Sequence, residues 1–322
     1  MKLLVTGGAG FIGSHFARSI LHGEYPDIDP EVVTVLDCLS WGGDVRNLEA
    51  VRDDPRLRFV LGDIRDEQLV GELMREHDTV AHLAAETHVD RSVSGAAPFI
   101  DTNVGGTRVL LDAAVTHGVE RFLHVSTDEV YGSIDEGAWT EEQPLAPTSP
   151  YSAAKAGSDL LALAFHRTHG LPVVVTRCSN NYGPHQFPEK LIPLFVTRLL
   201  QGLDVPLYGD GGNIRDWLHV SDHCRGLALA LTGGRAGEIY HIGGGRELTN
   251  RELVERLLKG CGVSWDQVTA VPDRKGHDRR YALDHSKITQ ECGYQPQVDF
   301  DLGLADTIDW YSSHRSRWPA PR

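Results

Sequence analysis

Short apolar runs alternate with longer stretches in which apolar residues recur every three or four positions. Leu3-Leu4-Val5, Val32-Val33-Thr34-Val35-Leu36, Leu57-Arg58-Phe59-Val60, Thr79-Val80-Ala81-His82-Leu83, Phe122-Leu123-His124-Val125 and Val173-Val174-Val175-Thr176 have the length and β-branched character of buried strands. Between them the helical period predicts helices over 11–22, 66–76, 103–117 and 152–169. Strands apolar on both faces, each followed by a helix, predict an α/β fold with a doubly wound parallel sheet. Ligands of such sheets sit outside the carboxyl ends of the strands.

After residue 180 proline, glycine and aromatics become frequent, as in Asn181-Tyr182-Gly183-Pro184 and Pro206-Leu207-Tyr208-Gly209-Asp210-Gly211-Gly212. Two more helices are expected near 190–201 and 249–259, with a strand at Glu238-Ile239-Tyr240-His241-Ile242. This predicts a first domain over 1–180, taking back a segment near 215–245. The remainder of 181–322 forms a smaller C-terminal substrate-binding domain.

Composition narrows the function classes. A chain of 322 residues buries roughly 75% of its unfolded surface, so it needs no disulfide or metal staple. The formal net charge of −14 disfavours nucleic-acid binding, because an acidic surface repels a phosphate backbone. A small phosphorylated ligand is still compatible with local arginines and backbone amides. The five cysteines, Cys38, Cys178, Cys224, Cys261 and Cys292, form no C-x-x-C, so they read as small apolar residues. His82, His88 and His185 do not have the spacing of a metal site, and no metal is expected. There is no signal-peptide pattern and no apolar run of membrane-spanning length, so a cytoplasmic protein is expected.

Gly7-Gly8-Ala9-Gly10-Phe11-Ile12-Gly13 follows the first strand and opens a helix. Glycine lets backbone approach a pyrophosphate, and the helix N-terminus supplies free amides and partial positive charge. Asp37 ends the second strand, where a carboxylate accepts from ribose hydroxyls and repels a 2′-phosphate. The expected cofactor is therefore NAD rather than NADP, in a Rossmann-type domain. Asp63-Ile64 ends the third strand and is a candidate for adenine contact, or Asp63 merely caps the next helix.

Tyr151 and Lys155 lie four apart and so share one helix face. A free phenol is a poor base at neutral pH. An ammonium and an oxidised nicotinamide nearby would favour the phenolate, fitting Tyr151 to take a hydroxyl proton while the carbon gives up hydride. Thr127 ends the preceding strand and can orient a sugar hydroxyl. Asp128 and Glu129 follow it directly. Neighbouring residues at a strand end diverge, so one carboxyl can protonate a leaving hydroxyl while the other removes a carbon proton. Apolar surroundings would keep Asp128 an acid.

The G-x-x-G-x-x-G turn together with Tyr151-x-x-x-Lys155 resembles the extended short-chain dehydrogenase/reductases. Four runs narrow the resemblance to their nucleotide-sugar 4,6-dehydratases: Ser126-Thr127-Asp128-Glu129-Val130-Tyr131-Gly132, Leu83-Ala84-Ala85-Glu86-Thr87-His88-Val89-Asp90-Arg91-Ser92, Asn180-Asn181-Tyr182-Gly183-Pro184, and Arg274-Lys275-Gly276-His277-Asp278-Arg279-Arg280-Tyr281. Trp41 and Asp44 stand where a Tyr and an Asn are more usual, and Thr87 replaces a Ser while keeping the hydroxyl.

The resemblance implies a dTDP-sugar substrate, dTDP-glucose, and a three-step cycle. Oxidation at C4 uses Tyr151 as base. Glu129 and Asp128 then eliminate water across C5–C6, and hydride returns to C6 to give the 4-keto-6-deoxy sugar. It implies Thr127, Asp128, Glu129, Tyr151 and Lys155 as catalytic residues. Cofactor contacts would come from Gly7, Gly10, Phe11, Ile12, Gly13, Asp37, Ser40, Asp63, Ile64, Leu83, Ala84, Ala85, Thr102, Tyr151 and Lys155. Substrate contacts would come from Thr87, Thr127, Asn180, Lys190, Leu191, Pro206, Tyr208, Arg215, Asn250, Arg274 and His277, with Arg215 and Arg274 on the diphosphate. A homodimer through helices 103–117 and 152–169 is implied as well. Two rival readings stand beside this one. A nucleotide-sugar 4-epimerase or decarboxylase would use Tyr151 and Lys155 without needing both carboxylates, and a regulatory module would bind nucleotide without turnover.

Overall fold

The computed structural model describes residues 1–274 and 276–318, so Lys275 of the 274–281 run lies outside the described residues. Seven strands form one parallel sheet: β1 (Lys2–Thr6), β2 (Val32–Asp37), β3 (Leu57–Leu61), β4 (Thr79–His82), β5 (Arg121–Thr127), β6 (Val173–Cys178) and, after three short strands elsewhere, β10 (Ile239–Ile242). Their order is β10-β6-β5-β4-β1-β2-β3, and each neighbouring pair is parallel. The order reverses between β1 and β4, which opens a crevice at the carboxyl edge.

Both faces of the sheet are covered. On one side Phe16, Ile20 and Leu21 of helix Phe11–Leu21 pack with Leu227 and Leu231 of helix Val220–Gly233. On the other, helices Glu67–Glu76, Thr107–His117 and Pro150–His169 bury Leu73, Met74, Leu110, Leu111 and Ala162. A third cluster around Ile192, Phe195, Trp217, Leu257, Phe300 and Ile308 is the core of the C-terminal region. There β7 (Asn180–Tyr182), β9 (Ile214–His219) and β11 (Glu247–Thr249) make a small sheet, and β8 (Val205–Tyr208) pairs with β12 (Val268–Val271).

Four elements differ from expectation. Helix Val220–Gly233 was not expected: its buried Asp222 and His223 blur the contrast between its apolar face and the polar Ser221, Arg225 and Thr232. It packs on β5 and β6 beside helix Phe11–Leu21. Helices Ser286–Cys292 and Phe300–Ser313 were likewise not anticipated. The segment expected to open a helix at 103 starts instead as a π-helical turn over Ile100–Gly106. Its Asn103 side chain is buried, accepting from the Glu86 amide at 2.8 Å and donating to the Glu86 carbonyl at 3.0 Å. The turn thereby fixes the 84–88 loop above the sheet and faces Thr102 into the crevice, a common use of π-turns beside sites.

Candidate active site

One cleft of about 540 Å³ runs along the carboxyl edge of the sheet and under the C-terminal region. All the candidate catalytic, cofactor and substrate residues line it. That volume is ordinary for a small-molecule site. It is lined too by residues that sequence reasoning did not single out, among them Glu189, Phe195, Trp217 and Val254.

The glycine turn sits at one end. Gly7 has φ +68°, and a Cβ there would meet the Ala84 amide nitrogen at 2.6 Å; one on Gly13 would run into the Gly7 carbonyl. Only hydrogen fits, so the first turn of helix Phe11–Leu21 sits directly against the loop with its amides free for an anion. Asp37 is buried at the end of β2. Its carboxylate accepts from the Ala9 amide at 2.9 Å and the Leu39 amide at 2.8 Å. Burial pushes its pKa up, against those backbone donors. Asp63 is gripped by Arg65 at 2.6 Å, while Asp66 caps helix Glu67–Glu76. The cap alternative for Asp63 therefore falls away. Gly13→Ala should weaken NAD binding by about 1–3 kcal/mol through overpacking, measured by calorimetric titration.

The middle of the cleft holds the acid–base groups. Ser149 and Ser152 form a capping box at the start of helix Pro150–His169, with Pro150 in its first turn. Such a cap contributes about 1 kcal/mol, and it sets Tyr151 in the first turn, over the end of β5. The Ser92 hydroxyl accepts from the Tyr151 amide at 3.2 Å. Lys155 Nζ donates to the Val125 carbonyl at 2.8 Å. Tyr151 is held well above a free phenol, chiefly by burial and then by Glu129, Cys178 and Asp128, with the Thr127 hydroxyl acting the other way. These groups keep Tyr151 as a phenol, and added positive charge is what would make it a base.

Where β5 ends, Thr127 caps a single turn over Asp128–Tyr131 by accepting from the Glu129 amide. Gly132, at φ +80°, closes that turn against the Ala146 carbonyl. The two carboxyls then face different surroundings. Asp128 is only 2% exposed, and its Oδ2 has no partner. Burial, followed by Glu129 and Asp216, lifts it well above the usual carboxylate range. Glu129 is half-buried; burial lifts it too, but Lys190, Arg215 and Arg274 all pull it down. Both carboxyls are raised, Asp128 well above its usual range and Glu129 against the pull of three cations, so Asp128 is the better-held acid and Glu129 the more readily ionised of the two.

A raised folded pKa gives stability that is complete in acid and lost as pH rises through the folded value. Asp128→Asn, which mimics the protonated group, should therefore match the ligand-free wild type in acid and melt higher as pH rises. The expected gain is about 2 °C for each kcal/mol, read by calorimetry across pH.

The far end is cationic. Arg215 stacks 4.1 Å from the Tyr281 ring and donates to the Asp278 carbonyl at 3.0 Å. Lys190 Nζ donates to the Thr87 carbonyl at 2.7 Å. Arg274 stands 3.6 Å from Asp90, and its Nε is without a partner among the described residues. Tyr208 is partly exposed beside His277, edge to face at 6.5 Å. Asn180 Oδ1 is buried and unpaired. The histidines first weighed as metal ligands are spent elsewhere: His82 bonds Thr6 and Thr107, His88 lies 3.8 Å from Glu189, and His185 packs on Trp310 at 4.5 Å.

Residues 4–307 match the family model described as GDP-mannose 4,6 dehydratase. The chain belongs to that family, within the extended short-chain dehydrogenase/reductases. Among relatives of this dehydratase family, a dTDP-glucose 4,6-dehydratase of Actinoplanes sp. is 67% identical, with 99% of this chain and 100% of the relative covered. The crystal structure of DesIV, a dTDP-glucose 4,6-dehydratase from Streptomyces venezuelae with NAD bound, superposes with a TM-score of 0.98 at 62% identity, covering 99% of each chain. A UDP-glucose 4-epimerase from Thermotoga maritima is also similar, at TM-score 0.89 and 34% identity, covering 97% of this chain and 99% of that one. The shared scaffold therefore does not separate dehydration from epimerisation. The carboxyl pair has to.

Proposed function

We propose that the chain converts dTDP-glucose to dTDP-4-keto-6-deoxyglucose with NAD held in the cleft. The observation that carries this reading is the pair Asp128 and Glu129, adjacent at the end of β5, both raised by burial but with three cations offsetting part of the rise at Glu129, and in one cleft with Tyr151 and Lys155. The residues fit NAD. The glycine turn has no room for a Cβ where a pyrophosphate must approach, and Asp37 stands buried where an adenosine ribose would lie. When bound, NAD supplies the oxidation at sugar C4 and the reduction at C6.

The other steps belong to side chains of this chain. Tyr151 Oη takes the C4 hydroxyl proton, with Thr127 orienting the hydroxyl and Lys155 contributing positive charge. The new ketone acidifies C5–H, and Glu129 removes that proton. Asp128, kept protonated by its burial, gives its proton to the C6 hydroxyl, which leaves as water. One water is lost and no net oxidation occurs. Arg215, Arg274 and Lys190 hold the diphosphate, Arg through its planar fork, and Tyr208 flanks the base. In this reading 1–180 with the 215–245 segment carries NAD, and the rest of 181–322 carries the nucleotide sugar.

The enzyme acts in the cytoplasm as a homodimer through helix Thr107–His117 with its π-turn and helix Pro150–His169. Ile100 and Leu160, 53% and 60% exposed on these segments, supply apolar contact. Sedimentation giving only monomer would overturn the dimer. Among the described residues no helix is long and apolar enough to cross a membrane.

The test is turnover of dTDP-, UDP- and GDP-glucose side by side. Preferred conversion of dTDP-glucose to a 4-keto-6-deoxy product is expected. Formation of dTDP-galactose would replace this reading with epimerisation, and tight binding without turnover would leave only a nucleotide-binding module.

A further inference from the structure

Directly beneath Tyr151 and Lys155 lies a polar network that the steps above do not use. Asp159, one turn beyond Lys155 on the same helix, is fully buried, as is Arg177 on β6. Asp159 Oδ2 accepts from Arg177 Nε at 2.9 Å, and Oδ1 lies 3.2 Å from His124 Nε2. Arg177 Nη1 donates to the Tyr131 hydroxyl at 2.5 Å, and that hydroxyl shares a hydrogen bond of 2.7 Å with His241 Nε2. The Ser158 hydroxyl donates to the Lys155 carbonyl and meets His124. Five side chains from three strands, one helix and the turn after β5 thus fix one carboxylate in place.

Burying ions without return is costly, so the charge balance here has consequences. Lys155 and Arg177 are buried cations, and Asp159 is the buried anion between them. The other titratable groups facing Lys155 are His82 on β4, His124 on β5 and Cys178 on β6. Burial drives both histidines toward the neutral imidazole and Cys178 toward the neutral thiol. Tyr151 is a phenol in the ligand-free site. Asp159 is therefore the one full negative charge among the groups facing Lys155.

We propose that Asp159 is a positioning residue for the oxidation step: its carboxylate, anchored by Arg177 and His124, holds Lys155 as a cation beneath the reacting centre. This rests on the reading of Tyr151 and Lys155 as the redox pair. Supporting it, burial lowers Lys155 while Asp159 is first among the groups that raise it. Asp159 itself stays at about 2, the upward push of burial being outweighed by His124, Arg177 and Lys155.

The test uses direct titration, which is practical because Lys155 is one of only six lysines. The full chain is labelled with carbon-13 lysine, and the Lys155 resonance, assigned from Lys155→Arg, is followed against pH by NMR. Asp159→Asn removes the anion, so the Lys155 midpoint should fall by about one pH unit. Arg177→Gln removes the competing cation, so the midpoint should rise. The alkaline limb of dTDP-glucose turnover should move in the same two directions, whereas Asp159→Glu should stay near wild type.

Midpoints unmoved in both variants, or moved the same way, would overturn the proposal, since loss of structure alone carries no sign. If Asp159→Asn does not fold, the direction in Arg177→Gln decides. If neither folds, the pair is structural and the proposal fails. Absence of turnover by the wild type would instead count against the reading of function, while the titration would still judge Asp159.

Discussion

Asp128→Asn is expected to bind NAD and dTDP-glucose, oxidise the sugar at C4, and then stall. Its release of 4-keto-6-deoxy product should be slower by ~100-fold or more, the usual contribution of a positioned general acid. The reason lies in the site's geometry. The Asp128 carboxyl is buried, with one oxygen unpaired, and burial with its acidic neighbours keeps the proton on it. An amide there preserves shape but has no such proton to give.

Glu129→Gln should stall at the same stage for a different reason, because the C5 proton is never taken. Solvent deuterium exchange at C5 separates the two: it should persist in Asp128→Asn and vanish in Glu129→Gln. Single-turnover absorbance of reduced nicotinamide, followed by mass spectrometry of the sugar, provides both readouts. Loss of the first oxidation in both variants, to the same extent as the loss of product, would sink the division of labour.

Tyr151→Phe should have the larger effect on the first step, cutting oxidation at C4 by roughly 10³-fold, within the range for removing a general base. Lys155→Met should approach it. In the ligand-free site Tyr151 is pushed toward the phenol by burial, by Glu129, by Cys178 and by Asp128, so its proton must be drawn off by positive charge brought nearby. Lys155 is buried and already anchored on the Val125 carbonyl, which keeps its charge in one place. Both variants should still bind NAD, since the glycine turn and Asp37 are untouched. Calorimetric binding alongside single-turnover oxidation distinguishes loss of chemistry from loss of cofactor.

Much of the sheet was legible because parallel strands are buried on both faces, so Val173-Val174-Val175 could scarcely be anything else. The first helices announced themselves by amphipathic period. Helix Val220–Gly233 did so less clearly, because Asp222 and His223 are buried on it and weaken the contrast between its faces. Helix Phe300–Ser313 carries a cap signal, with Asp299 accepting from the Leu302 amide. The π-turn depends on Asn103 bonding Glu86, a contact across the fold that no local pattern encodes.

At the site, residue types and adjacency were readable, whereas surroundings were not. Asp128 and Glu129 stand side by side in the sequence, yet they differ because Lys190 and Arg274 arrive from far along the chain to act on Glu129, while Arg215 acts on both. The Asp159 network escaped notice for the same reason. Its partners lie on β5 and β6, outside the helix that carries the Tyr-x-x-x-Lys pattern.

The central claim is that one sugar ring gives up hydride at C4, loses water across C5–C6 and receives hydride at C6 in the same cleft. It is tested most directly with dTDP-glucose carrying deuterium at C4, incubated with the purified chain and NAD, and the product read by NMR. The account predicts a 4-keto-6-deoxy sugar with the deuterium at C6. Recovery of the label at C4, in glucose or galactose form, would contradict it.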